Sequence, residues 1–424
     1  MPSAILNPVK QIPDIPQRSP SVKMKRLNAK ALAALGFLVY FSSYVTRYNY
    51  KTIIEEFVKA EGVLHSAASL PVTFSFLSYG IGQLISGYIG DKVSPHKLIL
   101  AGLLSSSVIN VLMASNLGIT VMCILWTLNG LAQSFIWPPL IKILSGSMTR
   151  DDYNKAIVIV NAAGSVGTVF IHLIAPVLFR ISGWKTVFLF SAIIGVISVV
   201  LFSFFTRNAE IQTVPKEAAD SEESKKPLGP VIIASGLVFI CAAILFMGIL
   251  RDGIDGWTPT YLSAEHGLST DSSIFVSVLV PLFSILSFKI TSEINRRFIK
   301  NELALAMLLF VISAVSTALT TVIPFMPAAL FLLSLATGCM HGVNLMLVCQ
   351  IPGRFARYGK ASLVSGSMNF FTYVGSAISM WGLAKLTENS GWGFTFIICS
   401  AIAVAGLLMC LIAFGKWKAF TKEE

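Results

Sequence analysis

The sequence predicts an all-α membrane protein in which twelve transmembrane helices form two pseudo-symmetric six-helix bundles. Three observations carry this expectation. Hydrophobic residues make up 54% of the 424 and charged residues only 12%, with a mean hydropathy of +0.74, a balance outside the range of water-soluble domains. Apolar segments of about 20 residues, enough to cross about 30 Å of hydrocarbon as a helix, recur twelve times. Finally, the second half of the chain repeats features of the first at offsets of 202 to 208 residues.

The first bundle, residues 31–205, contains spans near 31–50, 69–90, 98–115, 118–144, 155–179 and 185–205. The second, residues 231–415, contains spans near 231–251, 273–291, 303–323, 327–350, 360–383 and 392–414. Ahead of the first span, residues 1–30 hold Lys10, Arg18, Lys23, Lys25, Arg26 and Lys30 and no apolar run. They read as a basic cytoplasmic tail, not a cleaved signal. Residues 206–230 crowd Lys216, Glu217, Asp220, Glu222, Glu223, Lys225 and Lys226 together and read as a cytoplasmic linker between the bundles. Residues 416–424 form a second cytoplasmic tail.

Basic residues set the orientation. With the N-terminus in the cytoplasm, the tails, the linker and the loops on that face hold 23 Lys and Arg, against five on the other: Lys51, Lys59, Arg180, Lys185 and Lys385. Such a bias places both termini inside, in a cell or inner membrane. It also accounts for most of the net charge of +11, so the bilayer is the implied partner and nucleic acid is not.

The six cysteines, Cys123, Cys241, Cys339, Cys349, Cys399 and Cys410, all fall in proposed spans without metal-ligand spacing, and read as small apolar packing residues. No nucleophile elbow, phosphate loop or paired His and carboxylate motif occurs. The sequence therefore predicts no enzyme, no cofactor and no metal site.

The repeat is specific. Ser182-Gly183-Trp184 recurs as Ser390-Gly391-Trp392, and Asn161 and Gly167 recur as Asn369 and Gly375, all offset by 208. Asp91 and Glu293, at the ends of spans two and eight, are offset by 202. Arg47 and Arg251, each inside an otherwise apolar span, are offset by 204. An arginine at the bilayer centre costs roughly 2.5–3.5 kcal/mol on insertion scales, so it faces a protein-lined cavity and a partner. Two such residues on symmetric helices imply an anion site at the bundle interface, the arrangement of alternating-access carriers.

The segment GYIGDKVSPHK (87–97) resembles the loop signature of the major facilitator superfamily. Gly87, Asp91 and Lys92 stand in it, and Glu293 in its second-half counterpart, so these four are the expected gate residues. YVTRYNY (44–50), YGIGQLISG (79–87), AQSFIWPPL (132–140) and ILRDGIDGWTPTYL (249–262) resemble, in order and over nearly the whole chain, the organophosphate:phosphate antiporter family of bacterial glycerol-3-phosphate and hexose-phosphate transporters. The resemblance implies that Arg47 and Arg251 face each other and hold the substrate's anionic group, as a planar guanidinium suits. It implies a cavity lined also by Tyr40, Tyr79, Gln133, Trp137 and Tyr373. Gln83, Asn161 and His341 join this candidate set.

Departures from the family pattern carry information as well. Gln83 stands where the phosphate exchangers have a lysine, Gly164 where the glycerol-3-phosphate transporter has a histidine, and His341 where it has a tyrosine. Fewer cavity cations favour a singly charged carboxylate or sulfonate over a doubly charged phosphate. Competing local readings pair Arg251 with Asp252 or Asp255, and Lys289 with Glu293 at i, i+4 spacing. The small residues of spans five and eleven are expected at the moving interface. The expected function is secondary active transport of a small organic anion, a phosphate ester or carboxylate, by a monomer. Inorganic phosphate or H+ is the candidate coupling ion, with His341 the first titratable group. The alternatives are a membrane-embedded anion sensor of the same fold and a carboxylate:cation symporter.

Overall fold

The computed structural model describes residues 28–89, 93–148, 150–207, 228–355 and 361–422. Most of the expected basic tail and linker, together with Asp91 and Lys92, lie outside these residues. In the first half, α1 (Ala29–Glu61), α2 (His65–Ile89), α3 (Pro95–Met113), α4 (Ile119–Ser134), α5 (Trp137–Ser147), α6 (Arg150–Ser182) and α7 (Lys185–Thr206) make six spans, α4 and α5 sharing one. In the second, α8 (Leu228–Ser235), α9 (Leu237–His266), α10 (Thr270–Val276), α11 (Leu279–Arg297), α12 (Glu302–Thr320), α13 (Met326–Asn344), α14 (Ile351–Arg354) and α15 (Ala361–Lys422) make the other six. There α8 runs into α9, α10 into α11, and α13 into α14 through a π-helical turn at Leu345–Gln350. Helix α15 supplies spans eleven and twelve, divided at Gly391.

Local chemistry explains the breaks. Asn28 caps α1 by accepting from the Ala31 N–H at 2.8 Å, and Gly62, at φ +66°, ends it. The predicted first span stops at residue 50, but α1 continues to Glu61 because Lys51 and Glu55 are buried by protein instead of standing in a loop. Between α4 and α5, Pro138 has no N–H to give the Ser134 carbonyl. The Gln83 amide covers that carbonyl at 3.4 Å.

The internal repeat is present in three dimensions. Gly183 and Gly391, 208 residues apart, both adopt left-handed φ, +66° and +76°, where a side chain would strain the turn. Each is followed by a buried tryptophan. Trp184 packs against Phe57 and Phe188, and Trp392 against Tyr261 and Phe396, the counterparts at offsets of 204 and 208.

Residues facing outward are apolar. On α7, Ile193, Ile197, Val200 and Phe204 are exposed, and on α12, Leu308, Val311, Val315 and Leu319. Their three- and four-residue spacing makes one stripe on each helix, which in water would be an aggregation surface and in a bilayer is the lipid face.

Close backbone contacts hold each half together. A Cβ on Gly375 would lie 2.1 Å from the Leu245 carbonyl of α9, and one on Gly130 2.2 Å from the Ser75 carbonyl of α2. Gly164 and Gly167 fit against Tyr44 and Phe41 of α1. The expectation that the small residues of spans five and eleven form the moving interface is thereby corrected at Gly164, Gly167 and Gly375: they cement helices of the same half, as small residues do in lipid.

The halves meet through α1 and α9, α2 and α15, and α6 with α10 and α11. Polar contacts close the end that carries the α1–α2 and α9–α10 turns. Lys51 Nζ donates to Asp255 Oδ2 at 2.6 Å; the Lys51 side chain is buried at 4% exposure, and that of Asp255, at 12%, is partly buried. Lys59 donates to Thr270 at 2.5 Å and to Ser263 at 3.3 Å, the Ser66 N–H donates to Glu388 at 2.7 Å, and Arg180 reaches Asp271 at 3.3 Å. Lys51, counted above among loop residues, is thus an inter-half ion-pair partner.

Gly375→Ala is expected to destabilise the protein by about 1–3 kcal/mol through overpacking. A lowered melting temperature in detergent would show this, with Gly393→Ala, whose Cβ meets nothing within 4 Å, as the neutral control. Asp255→Asn leaves Lys51 buried without its anion, at a cost of about 3 kcal/mol borne only by the state closed at this end. Labelling of a cysteine placed at Ser66, in an otherwise cysteine-free chain, by an impermeant maleimide is therefore expected to quicken at least about tenfold.

Candidate functional site

A cavity of about 360 Å³ lies between the halves, on the far side of the Lys51–Asp255 pair from the closed end. It extends toward the end at which α6 and α15 begin, where Ile157, Asn161, Ser365 and Asn369 line it.

Its first-half wall is aromatic. Tyr40, Tyr44 and Tyr48 stand four residues apart on α1 and so share one helical stripe. Tyr40 packs on Trp137 with ring centroids 4.4 Å apart, and Tyr44 stacks on Tyr48 at 4.8 Å. From α2, Tyr79 meets Tyr373 of α15 edge-on at 4.4 Å, a contact between the halves. Gln83 also lines the cavity.

Arg47 sits behind this layer. Its side chain is buried at 3% exposure, and its guanidinium carbon lies 4.3, 4.9 and 5.3 Å from the ring centres of Tyr79, Tyr44 and Tyr48. The ring faces supply cation–π attraction. None of its three nitrogens has a hydrogen-bond partner, although a buried polar group without one is costly. The expectation that Arg47 lines the cavity is thus corrected: the tyrosines form the wall and the guanidinium lies one layer deeper.

The polar core of the first half fixes the backbone that carries Arg47. The carbonyl of neighbouring Thr46 accepts from Asn110 at 2.9 Å and Asn129 at 3.2 Å. Gln133 donates to the hydroxyls of Thr46 at 2.8 Å and Ser106 at 2.7 Å, and accepts from Ser43 at 2.5 Å. With all these bonds made and no exposure, Gln133 does not reach the cavity, and its expected place in the lining is corrected too. It positions α1 against α3 and α4.

The second-half wall is charged. Arg251 lines the cavity. Its Nη2 and Nε donate to Asp252 at 2.7 and 3.3 Å, and its Nη1 to Asn344 at 3.1 Å. Asp252 also accepts from Ser376. Of the two aspartates weighed as partners of Arg251, the adjacent Asp252 is paired with it, while Asp255 turns to Lys51 of the other half. His341 lines the same wall, its ring edge-on to Phe288 at 5.5 Å.

The structure brings together Tyr40, Tyr79, Gln83, Trp137, Asn161, Arg251, His341 and Tyr373 around one cavity. Sequence reasoning missed Tyr44, Tyr48 and Asn344. The four-residue tyrosine spacing around Arg47 was a readable signal for the first two, but nothing local singled out Asn344. Cys349 was expected to pack, but it lines the cavity from the π-helical turn. At the expected gate, Gly87 lies on α2. Glu293 pairs with Arg296 at 2.8 Å and with Arg297, in place of the expected Lys289.

Residues 36–380 match the family model of the Major Facilitator Superfamily. Among curated relatives, the glycerol-3-phosphate transporter of Bacillus subtilis is 24% identical, over 94% of this chain and 95% of its own length. The membrane sensor protein UhpC of Salmonella typhimurium is 22% identical, over 88% of each chain. Among solved structures, a POT family transporter in complex with a thioalcohol-conjugated peptide superposes with a TM-score of 0.74 at 13% identity, over 92% of this chain and 96% of that one, a likeness of fold. The matched residues, the repeated six-span halves and the central cavity agree, and the chain belongs to the Major Facilitator Superfamily.

Proposed function

We propose that this protein carries a small organic anion across a cell membrane by alternating access, binding it in the central cavity between Arg251 on one wall and the tyrosine layer that covers Arg47 on the other. The observation that carries the reading is the state of Arg47: a buried guanidinium with no protein acceptor on any nitrogen, separated from a cavity only by tyrosine rings. A carboxylate or phosphoryl oxygen is the acceptor such a donor fork suits. On the second-half wall Arg251 retains N–H groups beyond the three bonds it makes, since a guanidinium has five.

Lys and Arg bias supports an orientation with both termini in the cytoplasm. In that orientation the structure is inward-facing, closed on the outside by the Lys51, Lys59, Ser66 and Arg180 contacts and open toward the cytoplasm. Transport then consists of rocking one half against the other, with the anion favouring the closed intermediate through contacts made from both walls at once. The relationship to glycerol-3-phosphate transporters supports a phosphate ester as one candidate cargo and inorganic phosphate as one exchange partner. A monomer suffices, since both walls come from one chain.

A receptor reading has one supporting observation, the similarity to the sensor UhpC over 88% of the chain. Counterflow separates the two, because a sensor binds without carrying label across. Arg47→Ala and Arg251→Ala are each expected to reduce proteoliposome uptake of a radiolabelled anion at least about a hundredfold, with folding and insertion unchanged by size-exclusion profile. Uptake at the wild-type rate in either variant would show that the site is elsewhere.

A further inference from the structure

The charges around the cavity are not those of a site built for two negative charges. Among the described residues, Arg251, Asp252 and Asp255 line the cavity, Lys51 is bonded to Asp255, and Arg47 lies behind the tyrosine layer. Asp255 is taken up by Lys51, and Asp252 holds Arg251 by two of its nitrogens while accepting from Ser376. Three cations against two carboxylates leave one net positive charge, and it resides on Arg47, whose nitrogens have no partner. Arg251, Asp252 and Arg47 are all buried, at 8%, 3% and 3% exposure. Away from water, uncompensated charge of either sign is expensive, so the preferred cargo is the one that brings the group to neutrality.

We infer that the site selects an anion carrying a single negative charge, and that Asp252 sets this selectivity by cancelling Arg251. The inference rests on the anion-carrier reading above and narrows it. A carboxylate, a phosphodiester or a singly protonated phosphate monoester meets the requirement. A fully ionised phosphate monoester brings one negative charge too many, and the Asp252 carboxylate beside Arg251 repels it. Asp252 is thus a specificity-determining residue without being an anion ligand.

The test compares three probes of similar size on the full-length protein in detergent or proteoliposomes: glycerol 3-phosphate, its methyl diester, and glycerate. The diester and glycerate carry one charge at pH 5.5 and at 7.5. The monoester passes from mostly one charge to mostly two through a second pKa near 6, so its singly charged fraction falls about 25-fold between those values. Groups facing Asp252 are Lys51 and Tyr48 from α1, His341 from α13, Ser376 from α15 and Arg251 of its own helix. Because a change at any of these groups is also felt by the diester, the readout is the ratio of monoester to diester affinity.

In the wild type this ratio is expected to fall at least about tenfold from pH 5.5 to 7.5, and glycerate to compete like the diester. In Asp252→Asn, with two net positive charges, the ratio is expected to stay level or rise with pH. A wild-type ratio that does not fall overturns the inference without needing any variant, and so does an Asp252→Asn ratio that falls as in the wild type. If the wild type binds none of the three probes, the anion-site reading fails, and this inference with it.

Discussion

Lys51 and Asp255 meet 2.6 Å apart where α1 crosses α9, and their contact sets the terms for the rest of the molecule. Lys51 could not be held so far from water alone, so the two halves must approach at this level for it to stand there. That approach closes one end of the structure and leaves the other to diverge into the cavity. The pair also determines which aspartate remains for Arg251. With Asp255 turned toward the first half, Arg251 falls to its neighbour Asp252, and the charge balance of the binding region follows from that division of partners.

Around this crossing each half is rigid for reasons that have little to do with the anion. Backbone meets backbone at Gly375 and Leu245, and at Gly130 and Ser75. A chain of amide and hydroxyl bonds through Asn110, Asn129 and Gln133 grips the Thr46 carbonyl, so the residue bearing the unpartnered guanidinium is anchored by its backbone while its side chain is free of hydrogen bonds. The polar contacts between halves are of a different kind, ion pairs and single hydrogen bonds, and they stand beside the packing of α2 on α15, where Gly80 fits against Tyr373 and Gly366 against Leu84. The polar contacts are individually exchangeable, as a structure that must open and close requires.

Much of this was legible in the sequence because hydrocarbon imposes strict rules. Apolar length, lysine and arginine bias, the recurrence of Ser-Gly-Trp and the two intramembrane arginines led to the architecture and to the helices carrying the site. The misreadings share a cause. Gln133 and Lys51 are polar residues whose partners come from distant segments, and composition cannot show whether such a group faces a cavity, a loop or another helix. Hence Gln133 was expected at the cavity and proved to be core, and Lys51 was expected at the surface and proved to be buried. The choice between Asp252 and Asp255 is of the same type, since both lie within four residues of Arg251 and only the position of α1 decides between them.

Lys51 and Asp255 are separated by 204 residues, the same offset that relates Arg47 to Arg251. They are therefore equivalent positions of the repeat, in contact at the pseudo-twofold axis. A residue on such an axis in a true symmetric dimer touches its own copy, and lysine would meet lysine or aspartate would meet aspartate. A six-helix ancestor pairing with itself could not have made this bond. The pair is thus a product of divergence between the halves, and it records a moment when the two copies had already become genetically independent of each other.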